Sequence, residues 1–316
     1  MNTDQVLDLL MVVNLNVHLW SARKKLTAED LGGAELPPGE LASLGSKRIC
    51  NPEDIKKFAT LKSRAISLLD KHGVRFLSGW AIPDSKAAML LNELTSIRDE
   101  FNQNKIDFLN AYDDSIQDWV TKHPQWGSII AGSTVSKKYA SSRLSFNWQM
   151  FKVVPPFGGM AAQLRECTDR LSLTLFEEIS KAAKDTWHRC FDGKTEITRK
   201  ALSPLKSIQQ KLVGLSFLEP RVTPIEELIS AAINSVPKRG AIKGDLLTML
   251  RGLIGLMQNP IALLSHGQQL LDGKQNHEEL LHSLCNERRT TPDEDETEEK
   301  STSEDSTPVI ASHGLW

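Results

Sequence analysis

The stretch from Pro83 to His123 constrains the fold more than any other. Its apolar residues fall at Leu90, Leu94, Ile97, Phe101, Phe108, Tyr112, Ile116 and Trp119, steps of three, four or seven that align them on one side of a helix. Pro83-Asp84-Ser85 has the form of a helix start. His123-Pro124 has that of a stop, because a residue before proline resists helical torsions. One unbroken helix would be roughly 55 Å long, more than the diameter of a small domain, so other elements must pack along it or it must reach a partner. The run Asn102-Gln103-Asn104 weakens the stripe and leaves two helices, broken near Asn104, as the alternative. Beside the stripe, Arg98, Asp99, Asn102 and Lys105 are candidates for contact with a partner.

The remaining segments suit a helix of that length. In residues 12–20, Val13, Leu15, Val17 and Leu19 alternate with Asn14, Asn16 and His18, the period of a half-buried strand. Arg23-Lys24-Lys25 follows, then Thr27 as cap of a short helix and a Gly/Pro loop over residues 32–39. Asn51-Pro52-Glu53-Asp54 begins a helix with a capping side chain, a first-turn proline and acids at the positive end of the dipole; it should stop at Gly73. Residues 74–82 read as an irregular strand. Residues 124–130 read as a short helical piece, and 133–142 as a polar connection. In residues 143–154, Leu144, Phe146, Trp148 and Met150 alternate with Ser145, Asn147 and Gln149, a third strand.

Pro155-Pro156-Phe157-Gly158-Gly159 punctuates the chain, and helical patterns follow. Leu164, Cys167, Leu171, Leu175, Ile179 and Ala182 form one stripe; Ile197, Ala201, Leu205, Ile208 and Leu212 form another. Asp192-Gly193 would join them into a helical hairpin. The expected fold is therefore mostly α, of α+β type, with long helices, a helical hairpin and one small, roughly three-stranded sheet. The expected regions are 1–154 for the sheet and long helix, 155–285 for the hairpin and later helices, and 286–316 for a disordered acidic tail.

Charge is unevenly spread. The tail holds nine carboxylates against Arg288, Arg289 and Lys300, a net of −6, which leaves residues 1–285 at +4 of the total −2. A mild basic excess permits nucleic-acid contact without marking it. Cys50, Cys167, Cys190 and Cys285 form no C-x-x-C pair, which argues against a zinc ribbon or disulfide scaffold and fits a reducing cytoplasm. No secretory signal and no membrane span is expected: Asp4 and Asp8 stand where a signal needs cations, and the most apolar run, residues 246–257, contains Arg251.

No motif spells out a reaction. Gly193-Lys194-Thr195 lacks the glycine that a phosphate loop needs five residues earlier, where His188 stands, so Gly193 reads as a helix C-cap. In His277-Glu278-Glu279-Leu280-Leu281-His282 the second histidine falls one position past that of a zinc protease helix. Asp107, Asp113, Asp114 and Asp118 share one helix and would need a second cluster against them for acid/base or metal chemistry. Phe157-Gly158-Gly159 could offer amides to an anion but reads as a hinge. No catalytic, cofactor or metal residue is assigned and no cofactor is expected.

Three segments carry a family resemblance: Val13-Asn14-Leu15-Asn16-Val17-His18-Leu19-Trp20 running on to Leu26; Leu44-Gly45-Ser46-Lys47-Arg48-Ile49-Cys50-Asn51-Pro52 together with His72-Gly73-Val74-Arg75-Phe76-Leu77-Ser78-Gly79-Trp80-Ala81-Ile82-Pro83; and Arg143-Leu144-Ser145-Phe146-Asn147-Trp148-Gln149. They resemble a bacterial family called domain of unknown function 3150, over about residues 10–280. The resemblance implies no catalytic residues. It implies a gene context, on mobile elements and beside a MoxR-type AAA+ ATPase and a von Willebrand factor A protein, which is an associational warrant. The leading expectation is a non-enzymatic cytoplasmic adaptor or substrate-recognition subunit for such an ATPase, with the long helix and hairpin as docking surfaces. The alternative is a nucleic-acid-binding protein of a mobile element, with Arg23, Lys24, Lys25, Lys47, Arg48, Lys137, Lys138 and Arg143 on phosphates. An enzyme of unrecognised type would need His18, Cys50, His72 and Arg75 to meet near the sheet.

Overall fold

The computed structural model describes residues 3–32, 45–154 and 161–286. Most of the Gly/Pro loop, the Pro155–Gly159 punctuation and the acidic tail lie outside the described residues. After a first turn of helix, α1 (Thr3–Asp8), come β1 (Leu10–His18), β2 (Arg23–Lys25) and β3 (Ser46–Arg48). Next are α2 (Pro52–His72), β4 (Val74–Phe76), β5 (Gly79–Pro83), α3 (Asp84–Asn110), α4 (Tyr112–Lys122), α5 (Gly127–Ala131), α6 (Lys137–Ser142) and β6 (Ser145–Phe151). The second half holds α7 (Ala161–Asp169), α8 (Leu171–Thr186), β7 (Glu196–Ile197), α9 (Ser203–Leu215), α10 (Val222–Asn234), β8 (Ile242–Lys243), α11 (Asp245–Met257), α12 (Pro260–Leu271) and α13 (His277–Asn286).

The main sheet is antiparallel, with strand order β4-β5-β1-β6. It has four strands because residues 74–82 form a hairpin. Leu77 takes the left-handed conformation at its turn, with φ 49°. Gly79 follows because a Cβ there would lie 2.2 Å from the Val13 carbonyl oxygen of the neighbouring strand. Alternation along β1 sends Met11, Val13, Leu15 and Val17 to one face, and Leu10 and Val12 to the other. Helices α2 and α3 cover the first face, with Phe58, Leu61, Leu94, Ile97 and Phe101 packed against Val13, Trp80, Ile82 and Phe146. The helices from α8 to α13 cover the second, with Leu10, Val12, Val74, Phe76 and Ala81 as its floor. Where that cover ends, Asn16, His18, Asn147 and Gln149 face solvent.

Helix α2 follows its start and stop signals: the Asn51 side chain accepts from the Glu53 amide at 3.2 Å, and Gly73 ends the helix. The long stripe is two helices, and the break falls at Ala111 rather than near Asn104. Tyr112 decides its place: its ring packs on Trp20 and Phe108, and its hydroxyl donates to the Val135 carbonyl at 2.8 Å. Residues 137–142, expected as part of a polar connection, form α6, where the Ser136 hydroxyl caps the Tyr139 amide and Ala140 is buried. Thr27 is not a helix cap; its amide and hydroxyl both donate to Asp30, at 2.8 and 3.0 Å. The hairpin's first stripe is divided at Arg170 into α7 and α8, and a π-helical turn (Trp187–Phe191) with β7 separates α8 from α9.

Candidate functional site

Three parts of the described surface concentrate chemistry. The first is the outward ridge of α3. While Leu90, Leu94, Ile97, Phe101 and Phe108 are buried, the opposite side presents Ser85, Ala88, Asn92, Ser96, Asp99, Gln103, Ile106 and Asn110, all exposed. Their steps of three and four make a continuous ridge roughly 40 Å long. It holds one charge in eight residues, where a solvated helix face is ordinarily rich in Lys and Glu. Ile106 is 53% exposed in it. Of the sequence candidates, Asp99 lies on this ridge and Asn102 beside it. Arg98 pairs with Asp99 at 3.2 Å, and Lys105 turns inward to donate to the Leu144 carbonyl at 2.7 Å, which holds the chain entering β6.

The second is a ribbon. Strands β2 and β3 pair antiparallel, with Arg23 opposite Arg48, Lys24 opposite Lys47 and Lys25 opposite Ser46. Five of the eight basic candidates are thereby gathered on six residues. At its root, Ile49 donates to the Ala22 carbonyl at 2.9 Å, both residues are buried, and the Trp119 indole donates to the Arg48 carbonyl at 3.3 Å. Lys47 pairs with Asp30; that hydrogen bond first, then those from Thr27, holds the Asp30 carboxyl below its usual range. The other three candidates sit on or just after α6. Lys137 pairs with Asp113 at 3.2 Å, the Arg143 guanidinium lies 5.0 Å from the Tyr139 ring centroid, and Lys138 is exposed.

The third part is two clefts. One, of about 510 Å³, has Asp107, Asp114 and Asp118 on one wall and Glu53 and Asp54 on the other, so the helix carboxylates do meet a second acidic pair. Among the described residues, however, no group of three or more His, Cys, Asp or Glu is arranged to hold a metal ion. At its edge Cys50 is buried beside Ser115 and Asp54, and burial pushes its thiol up to about 11, which leaves it protonated and unreactive at neutral pH.

The other cleft, of about 740 Å³, lies where α2 and β4 meet α8 and α9. Here the buried Lys211 ammonium donates to Glu178 at 2.5 Å and to the Asp70 carbonyl at 2.8 Å. Glu178 also accepts from the Arg75 amide at 2.9 Å. Asp70 accepts from the Trp80 indole at 2.7 Å, and the Arg75 guanidinium stacks 3.8 Å from that ring. These bonds join the two halves of the chain across the end of the sheet. Sequence reasoning missed Glu178 and Lys211, although each interrupts an apolar stripe, between Leu175 and Ala182 and between Ile208 and Leu215, with opposite charge.

The enzyme group does not assemble. Cys50 precedes α2 and His72 ends it, so 21 helical residues, roughly 30 Å, separate them. Arg75 is near His72 but is engaged with Trp80 and Asp70. Gly193, at φ 66°, is a turn after α8, and Arg251 donates to the carbonyls of Phe191 and Lys194 around it. His277 Nε2 donates to the Pro224 carbonyl at 3.0 Å, which ties the ring to α10, and His282 is exposed. Among the described residues no single helix is long and apolar enough to cross a membrane. The most apolar pair, α11 and α12, is bent by 107°, with Leu250, Leu253, Ile254, Met257 and Leu263 buried in the core.

A four-stranded antiparallel sheet between two helical layers, with a charged ribbon and a bare helix ridge outside them, is the class this fold defines. The family is shown by sequence: residues 7–259 match the model described as "Protein of unknown function (DUF3150)", and the chain belongs to that family. Comparison with curated proteins and with solved structures returns no match.

Proposed function

We propose that this chain is a non-enzymatic adaptor or substrate-recognition subunit, working in the cytoplasm of bacteria with a MoxR-type AAA+ ATPase and a von Willebrand factor A protein. The observation that carries the reading is the α3 ridge. A helix side of small polar residues with one charge in eight and an isoleucine half exposed can be laid against another helix with little charge to desolvate. The ATPase as partner rests on the gene context that the family resemblance implies, and the ridge is the surface proposed for it. The test is ATP turnover by that ATPase with and without the purified chain, and with an Asn92→Arg/Ile106→Arg double variant. Both positions are exposed, so the variant should unfold within about 0.5 kcal/mol of the parent, yet lose at least roughly tenfold in affinity from a charged, desolvated centre. If the parent chain neither binds the ATPase nor alters its turnover, the reading is wrong.

A further inference from the structure

The ribbon concentrates exposed charge in a place apart from α3. Residues directly opposite in an antiparallel pair project to the same face, so β2 and β3 have two different sides. The inner side continues from buried Ala22 and Ile49 to Lys24 and Lys47, and there Asp30 supplies a carboxylate to Lys47. The outer side holds Arg23, Arg48, Lys25 and Ser46. Its three cations are exposed, and among the described residues none of them is in an ion pair. Like charges placed directly opposite each other destabilise a strand pair. Among the described residues these like charges have no counter-charge, which an anion would supply, and the buried root fixes the place of the ribbon.

The pattern selects the anion. Arg23 and Lys25 are two residues apart on one strand, roughly 6.7 Å, with Arg48 across the ladder, which suits a regular row of charges more than a single small ion. Arginine presents a planar fork that matches phosphate oxygens, and Ser46 adds a hydroxyl donor. Among the described residues, no apolar side chain stands on the outer side to enter a lipid layer, and no aromatic ring stands there on which unpaired bases would stack. Two strands about 4.8 Å apart can lie at the mouth of the major groove of B-form DNA, about 12 Å wide, with their cations against the phosphates that border it, whereas the deep, narrow major groove of duplex RNA would not admit them. We infer that the outer side of the β2–β3 ribbon binds the phosphate backbone of duplex DNA without regard to sequence. With lysine and arginine as its charged groups among the described residues, the interaction is electrostatic and positions the duplex rather than reading it.

The test is fluorescence anisotropy of the full chain with a labelled 20-base-pair DNA of arbitrary sequence, from low to physiological salt, beside the matching RNA duplex, the single strand and anionic phospholipid vesicles. The expected result is duplex DNA bound most tightly, with affinity falling steeply as salt rises. The variant Arg23→Ser/Lys25→Ser/Arg48→Ser should bind at least roughly tenfold more weakly, with its log–log salt slope reduced by about 2 to 3, because each neutralised phosphate adds about 0.9 to that slope. Arg23→Lys/Arg48→Lys keeps the charge and should keep the slope, which separates the effect of charge from that of a damaged fold. Absence of DNA binding at low salt would overturn the inference. So would undiminished binding by the serine variant, an equal loss from Lys138→Ser on α6, or binding to the vesicles alone. None of these results depends on an ATPase, so this surface and the α3 reading fail separately.

Discussion

The two layers that cover the sheet solve one packing problem by different means. Under α2 and α3 the space is filled by rings. Phe58 lies 4.9 Å from Phe101 between centroids, Phe101 lies 5.6 Å from Phe146, and Phe108 links Phe58 to Trp20 and Tyr112. On the other face aliphatic side chains predominate, and helices are drawn together at glycines. A Cβ on Gly252 would come within 2.8 Å of Leu284, and one on Gly267 within 2.9 Å of Ile225. Rings separate elements and fix their angles through a few large, oriented contacts; glycines bring backbones close and spread adhesion over many small contacts. The ring layer should accordingly depend on single residues, and the aliphatic layer on its crossings.

Five variants test the layers and the seam between them. Phe101→Ala, at the junction of two ring contacts and fully buried, should cost about 3–5 kcal/mol, against about 2–4 kcal/mol for Leu253→Ala in the other layer, both read from denaturant midpoints. A larger loss from Leu253 would end the contrast. Next comes the seam at the end of the sheet. Lys211→Met leaves Glu178 without its cation and the Asp70 carbonyl without that donor and should cost about 3 kcal/mol, whereas Lys211→Met/Glu178→Met should recover most of it, because a largely buried ion pair is expensive to break and cheap to replace. A double variant as unstable as the single would mean that the Arg75 amide and Asp70 carbonyl carry the seam instead. The smallest effect is expected from Gly252→Ala, about 1–3 kcal/mol, felt first where α11 meets α13. Amide exchange should accelerate in α13 before the sheet; uniform acceleration would show that the crossing is not local.

What was legible in the sequence was what neighbours along the chain decide. Helix α2 has its cap, its first-turn proline and its terminal glycine within its own residues, and it runs between the limits they set. Strand β6 shows its alternation openly. Hidden features depended on distant contacts. The break at Ala111 follows from where Tyr112 must go, whereas the visible polar run at 102–104 lies mostly on the solvent side and interrupts nothing. The hairpin turn was concealed because its left-handed residue is a leucine, while the adjacent glycine serves a close approach to Val13. The basic residues were individually visible, but two three-residue strands separated by twenty residues have no periodicity to read, so their pairing appeared only in the fold. Glu178 and Lys211 left a trace, one opposed charge in each of two apolar stripes, which signals a pair only once the helices are known to touch.

The sheet shared by both layers also governs how such a chain can change over generations. A recombination event that exchanged everything after residue 154 would leave Leu10, Val12, Val74, Phe76 and Ala81 without their cover, so the two faces must be inherited together. Novelty is then confined to whatever neither layer touches. The outer side of the ribbon and the ridge of α3 meet that condition, and they can diverge in charge and shape while the wall behind them stays fixed.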